Sequence, residues 1–248
     1  IKFGLKLWSI NPDLIKEAEA LIKDGIFNYV ELMVIPDTQI FPYQEVKIPY
    51  IIHITSDKFG FNIPDKKKVK FNTDIINQNI LWVNELEAKY LILHPGFGQF
   101  KEAKNFLDKI NDKRILIENM PKTGSNDEAM TGYTPEQIQE LMGNKFELCL
   151  DLNHAIKAAV GLKKDYKKYI KDFLKLKPKM FHIADGTLKS GKDEHLNIGE
   201  GEYDFNFLAN CVEKSNAKYV TVETPRTNLN SLKEDLENLK KLKSFLSN

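Results

Sequence analysis

The sequence predicts an α/β fold, a (β/α)8 barrel of the TIM type spanning residues 1–248 as one domain. Three observations carry this reading. Eight short segments rich in Ile, Val, Leu and aromatics recur along the chain, each separated from the next by a stretch with helical apolar spacing. The length, 248 residues, matches the roughly 250 residues typical of such a barrel. No Gly/Ser-rich linker divides the chain, so nothing marks a second domain.

The strands are expected near 2–8 (KFGLKLW), 29–33 (YVELM), 49–53, 90–94, 114–118, 147–151, 179–183 and 219–223. The first helix should start after Asn11-Pro12, a cap residue followed by proline at the first helical position, with Leu14, Ile15, Ala18, Leu21 and Ile22 on its apolar face. Thr134-Pro135-Glu136-Gln137 has the capping-box form ahead of Ile138, Leu141 and Met142. Asp204 is placed to cap a helix carrying Phe205, Phe207, Leu208 and Val212. A last helix over about 229–246 presents Leu232, Leu236, Leu239 and Leu242 for packing on the barrel. In 34–48 (VIPDTQIFPYQEVKI) prolines break the pattern, and a loop over the catalytic face is expected there instead of a full helix.

Composition narrows the function. A formal net charge of +1 gives no global basic field of the kind that announces nucleic-acid binding. Arg114 and Arg226 are the only arginines, so bidentate guanidinium contacts must be few; the lysines read mainly as solvated helix faces. Cys149 and Cys211 fit small buried hydrophobes of a reducing compartment. With no visible signal peptide or membrane-spanning run, a soluble, cytoplasmic protein with no membrane partner is expected. The pattern fixes no oligomeric state.

The chemistry-bearing residues gather where strands run out. YIIHI carries His53, YLILH ends on His94, RILIE on Glu118, ELCLD on Asp151 with His154 three residues on, MFHIAD carries His182, DEH gives Asp193 and His195, and YVTVE ends on Glu223. Imidazole and carboxylate are the usual ligands of zinc and related divalent ions, and a closed barrel brings strand ends that are distant in sequence onto one face. The glycines of HPGFG and of NIGEG (Gly199, Gly201) read as turn formers, and Glu200 as a solvated carboxylate.

The set His53, His94 in LHPG, Glu118 in LIEN, Asp151 and His154 in DLNH, His182 in FHIAD, Asp193 and His195 in DEHLNIGEG, and Glu223 in VETP resembles endonuclease IV, the zinc-dependent apurinic/apyrimidinic endonuclease, over roughly residues 49–226. The resemblance implies up to three Zn2+ ions, with Mn2+ as a possible substitute, at the C-terminal mouth of the barrel. It implies His53, His94 and Glu118 around the first ion. Glu118 would bridge to a second, completed by Asp151, His182 and Glu223, and His154, Asp193 and His195 would hold the third. Such ions leave a surplus of about two positive charges over the four ligand carboxylates, which suits a phosphodiester. The implied activity is hydrolysis of DNA 5′ to abasic sites, with Glu118 and Glu223 as the catalytic carboxylates.

Two departures keep a second function open. The family follows its first histidine with Ala-Pro-Tyr, an aromatic wedge for the duplex, where this chain has His53-Ile-Thr-Ser-Asp57. The second strand, YVELMV, resembles the sugar isomerase and epimerase branch of the xylose isomerase-like superfamily. There Glu31 would hydrogen-bond a sugar hydroxyl; otherwise it is a buried carboxylate paired with a neighbour. The alternative is therefore a divalent-metal sugar or sugar-phosphate isomerase or epimerase on Glu118, Asp151, His182 and Glu223, the two glutamates serving as acid and base. Arg226 in VETPR is either a phosphate clamp on the rim, carried there by the extended Thr224-Pro225 step, or a partner of a helix carboxylate.

Overall fold

In the computed structural model, which describes residues 1–246, eight parallel strands close into a barrel in sequence order, β1 pairing with β8. The strands are β1 (Lys2–Trp8), β2 (Tyr29–Val34), β3 (Tyr50–Ile54), β4 (Leu91–Leu93), β5 (Ile115–Glu118), β6 (Glu147–Asp151), β7 (Met180–Ile183) and β8 (Tyr219–Val222). All eight lie within a residue or two of the segments the apolar runs predict. Outside them lie α1 (Ile15–Lys23), α2 (Phe41–Gln44), α3 (Val69–Glu85), α4 (Phe100–Leu107), α5 (Pro135–Met142), α6 (Leu152–Gly161), α7 (Tyr166–Leu174), α8 (Phe205–Lys214) and α9 (Lys233–Phe245).

Strand alternation divides the core in two. Outward residues such as Leu5, Leu32, Ile52, Leu93, Ile117, Leu150 and Phe181 join the helices in the main apolar layer. Inward residues stack by twos. The lower interior is Tyr29, Ile51, Ile92, Leu116, Cys149 and Met180, with Tyr90 and Tyr219 packed against them. Gly4 makes room for this layer, since a Cβ there would stand 2.4 Å from the Tyr29 ring; the Tyr29 hydroxyl is hydrogen-bonded to Thr221 Oγ1 at 2.8 Å. Two residues further along each strand the interior turns polar. The alternation that buries Tyr29, Ile51, Leu116, Cys149 and Met180 therefore also points Glu31, His53, Glu118, Asp151 and His182 inward.

The caps behave unequally. Thr134 accepts from the Gln137 N–H at 3.2 Å, and Asp204 accepts from the Phe207 N–H at 3.0 Å. Asn11 makes no side-chain cap; Pro12 opens a short 3-10 turn, Pro12–Leu14, that leads into α1. Segment 34–48 forms only the four-residue α2 and no full helix, as expected, but no residue of it lines the cavity at the mouth. Its Tyr43, Val46 and Ile48 are buried in the outer apolar layer, where the Tyr43 ring meets Trp82 at 5.8 Å, so apolar burial pulls this short chain down the barrel wall in place of a full helix. The final helix begins at Lys233, leaving Leu229 on the cavity rim. Among the described residues no helix is long and apolar enough to cross a membrane. Both cysteines are buried and free.

Candidate metal centre

A cavity of about 510 Å³ opens at the C-terminal ends of the strands and is lined by His53, His94, His154, Asp193, His195 and Glu223 among others. The fold brings all nine expected positions together in three groups, in each of which one potential ligand atom per residue lies within 4.8 Å of the others: His53, His94 and Glu118; Glu118, Asp151, His182 and Glu223; and His154, Asp193 and His195.

Local structure explains the aim of each side chain. His53 and His94 both reach Glu118 Oε2 with their Nε2 atoms, at 3.2 and 3.1 Å, and the second nitrogen of His53 lies 2.6 Å from the Ile54 carbonyl. In DLNH the three-residue spacing has a double use. Asp151 caps α6 by accepting from the His154 N–H at 2.6 Å, which spends one carboxylate oxygen and fixes the first helical turn so that His154 faces the mouth. His154 Nδ1 lies 2.9 Å from the Asn119 carbonyl, and His195 Nδ1 lies 2.5 Å from the Glu223 carbonyl. With those nitrogens as donors, the Nε2 lone pairs of both rings face Asp193, at 3.5 and 3.2 Å from its Oδ1.

Buried polar atoms with no hydrogen-bond partner converge on the middle group: Glu118 Oε1, Asp151 Oδ2 and His182 Nδ1. Buried donors and acceptors are almost always satisfied, so three orphans from three strands facing one point fit a cation. The proton affinities agree. Burial opposes the imidazolium form of His154, His182 and His195, but the surrounding carboxylates, joined at His182 by Cys149, outweigh it and raise all three, His195 to about 9. Burial likewise opposes ionisation of Glu118 and Asp193, yet the histidines hold both well below the usual carboxylate range. Two groups move the other way, burial and the Lys6 charge lowering His53 and burial with the neighbouring Glu118 and Glu223 raising Asp151; divalent ions would replace the protons on the raised groups.

Lysines complete the centre in a way that sequence reasoning misses. Lys6, buried inside β1, donates to Glu31 Oε1 at 2.5 Å and also to Glu223. Its signal is the alternation of KFGLKLW, which puts Lys6 on the interior face with Gly4. Lys157, one turn beyond His154 on α6, is fully buried and donates to Glu194 Oε2 at 2.7 Å and the Thr187 carbonyl at 2.9 Å. It thereby fastens the loop that carries Asp193 and His195. Asp185 fastens the other side by accepting from the N–H groups of Gly186, Gly199, Gly201 and Tyr203. Gly199 has φ +88°, and a Cβ on Gly201 would lie 2.2 Å from Asp185 Oδ1, so both glycines serve the turn as expected. Glu200 is exposed.

Both residues offered as substrate contacts are engaged within the protein, as the second reading of each expects. Glu31 has no exposed surface, and its oxygens are taken by Lys6 and by His182 Nε2 at 2.9 Å; it is the buried, paired carboxylate and not a contact for a sugar hydroxyl. Arg226 lies against the cavity, but its Nε and Nη2 grip Asp235 of α9 at 2.8 and 2.7 Å, and Nη2 also reaches the Lys6 carbonyl. The fork that would clamp two phosphate oxygens is thus occupied, leaving Nη1 alone without a partner. An aromatic ring does reach the mouth after β3: Phe59, 42% exposed, lines the cavity six residues beyond His53.

Comparison with known proteins agrees with this geometry. The family described as xylose isomerase-like TIM barrel matches residues 42–242. A probable endonuclease 4 from Mycoplasmopsis synoviae (strain 53) is 33% identical over 204 residues, 73% of this chain and 68% of that protein. Among solved structures, a D-tagatose 3-epimerase-like protein superposes with a TM-score of 0.77 at 18% identity, covering 99% of this chain and 97% of the other. Endonuclease IV from Thermus thermophilus superposes with a TM-score of 0.72 at 17% identity, covering 99% and 98%. These structural likenesses carry the fold; the matched span of 42–242, which holds every one of the nine gathered residues, carries the conclusion that the chain belongs to the xylose isomerase-like TIM barrel family.

Proposed function

We propose that the protein is a metal-dependent phosphodiesterase of the endonuclease IV type, cleaving DNA 5′ to abasic sites with up to three zinc ions. The observation that carries this reading is the third group. A single-ion sugar isomerase needs only Glu118, Asp151, His182 and Glu223, yet His154, Asp193 and His195 are assembled beside them, each ring with Nδ1 beside a backbone carbonyl and Nε2 turned toward Asp193.

His53, His94 and Glu118 would hold the first ion, Glu118, Asp151, His182 and Glu223 the second, and His154, Asp193 and His195 the third. Bound there, the ions supply Lewis acidity for the phosphoryl group and activation of water near neutral pH. The chain's own residues do the rest. Glu118, fully buried between the first two groups, sets their separation. Glu223, facing the cavity, is positioned to take a proton from an attacking water. Trp8, Phe59, Met33 and Leu229 form an apolar rim against which a deoxyribose or an unstacked base would pack. Asp193 and His195 stand at the open side, where the leaving oxygen of an in-line displacement would depart.

A zinc-loaded sample should nick a duplex holding one synthetic abasic site, on its 5′ side, and leave an intact duplex alone. A panel of ketoses and ketose phosphates incubated with Mn2+ or Zn2+ is the counter-assay. Epimerisation without nicking would transfer the reading to a one-ion sugar isomerase with Glu118 and Glu223 as acid and base.

A further inference from the structure

Three of the five histidines in the centre have their outer nitrogen beside a backbone carbonyl: His53 by Ile54, His154 by Asn119 and His195 by Glu223. His182 cannot follow them. It sits inside β7, fully buried, where the neighbouring carbonyls of β6 and β8 are committed to the barrel ladder. Its outer nitrogen instead meets a carboxylate from the opposite side of the barrel, Glu31 on β2, at 2.9 Å. Its other nitrogen, Nδ1, has no hydrogen-bond partner and lies 3.3 Å from Glu118 Oε1 and 3.4 Å from Glu223 Oε1.

We infer that Lys6 and Glu31 are positioning residues for the ion site of Glu118, Asp151, His182 and Glu223: Glu31 accepts a hydrogen bond from His182 Nε2–H, so the Nδ1 lone pair faces that site, and Lys6 neutralises and anchors Glu31 while steadying Glu223. The inference rests on the metal reading above but not on the number of ions, because this four-residue site is the one that the nuclease and isomerase readings share. A ligating imidazole held by a carboxylate is fixed in tautomer and ring orientation and made more basic. An uncompensated carboxylate in the barrel interior would be costly, and Lys6, itself only 6% exposed, supplies the matching charge at 2.5 Å. The chain thus spends its inward positions on β1 and β2 on supporting a ligand contributed by β7.

A purely structural role would make the pair a tie between adjacent strands, Lys6 standing directly beside Glu31 in the β1–β2 register. Zinc affinity separates the two roles. The double variant Lys6→Met/Glu31→Leu removes both charges at similar volume, a change that buried ion pairs often tolerate. Zinc titration against a chromogenic chelator should show one ion held about 10–100-fold more weakly than in the parent, with any other ions unchanged. Melting of the chelator-stripped proteins should be alike. Glu31→Gln keeps an acceptor oxygen for His182 Nε2–H and should recover most of the lost affinity. A double variant that binds every ion as tightly as the parent overturns the inference while leaving the metal reading intact. A parent that binds no zinc overturns the metal reading and the inference with it. A parent with one ion per chain keeps the inference, and the loss then falls on that ion.

Discussion

The strand-borne and loop-borne halves of the centre are held in place by different physics. His53, His94, Glu118, Asp151, His182 and Glu223 stand on barrel strands or one residue past them, and the parallel ladder fixes their spacing whether or not an ion is bound. Asp193 and His195 stand on the long connection between β7 and α8, with side chains 33% and 25% exposed. Their placement depends on the Lys157–Glu194 pair and on the glycine turn gathered by Asp185. A barrel can therefore prebuild the strand-borne groups at little cost, whereas the third group must be fastened, and on the proposed reading that fastening would distinguish a three-ion centre from a one-ion centre on the same strands.

The largest effect should follow a change in the strand-borne half. Glu118 belongs to both the first and second groups and offers one oxygen to each. Glu118→Gln should lower zinc retention by about two ions and turnover by at least about 100-fold, measured by elemental analysis and by nicking of the abasic duplex. Parent turnover in this variant would remove Glu118 from the centre.

A smaller, selective effect is expected in the loop-borne half. Lys157→Met leaves Glu194 partly solvated and frees the loop without touching any proposed ligand. The most weakly held ion should then leave about 10-fold more readily during chelator titration, while the tighter ions keep their affinity. Equal weakening of all ions would mean that the two halves are one cooperative unit and would erase the contrast.

The smallest effect is a proton count. Burial opposes the imidazolium form of His195, but Asp193 overrides it and pushes the pKa up to about 9, against roughly 6.5 in an unfolded chain. In chelator-stripped protein this group contributes stability that is complete below about pH 6.5 and is lost as the pH rises through about 9. Zinc must displace that proton, and those of the similarly raised His154 and His182, so affinity should climb with pH up to about 9. Calorimetric titration at pH 7 in two buffers of different ionisation heat should show net proton release; binding heats independent of the buffer would contradict the protonation pattern.

The strands and the six strand-borne positions are legible in the sequence for one reason: a parallel barrel strand buried on both faces reads as an unbroken apolar run, so the His, Glu or Asp at its end stands out; His154, Asp193 and His195, on α6 and the β7–α8 connection, are legible only through the resemblance carried by DLNH and DEHLNIGEG. The supporting cast is not legible. Lys6 and Lys157 look like any solvated lysine until tertiary contacts bury them beside carboxylates 25 and 37 residues away. Glu31 admits two readings, and only the closure of the barrel, which sets β2 across from β7, decides that it faces His182 instead of the cavity. The wall segment 34–48 is read correctly as lacking a full helix but misplaced, because its prolines suggest a loop over the mouth while the burial of Tyr43, Val46 and Ile48 draws it the other way. Asn11 fails as a cap because Pro12 begins a 3-10 turn with a different entry geometry.

The most direct measurement is the number of zinc ions retained per chain after loading and desalting, read by elemental analysis and located by anomalous diffraction at the zinc edge. The account predicts a value near three, with one peak in each of the groups His53/His94/Glu118, Glu118/Asp151/His182/Glu223 and His154/Asp193/His195. A fully loaded chain holding a single ion among Glu118, Asp151, His182 and Glu223 would contradict it.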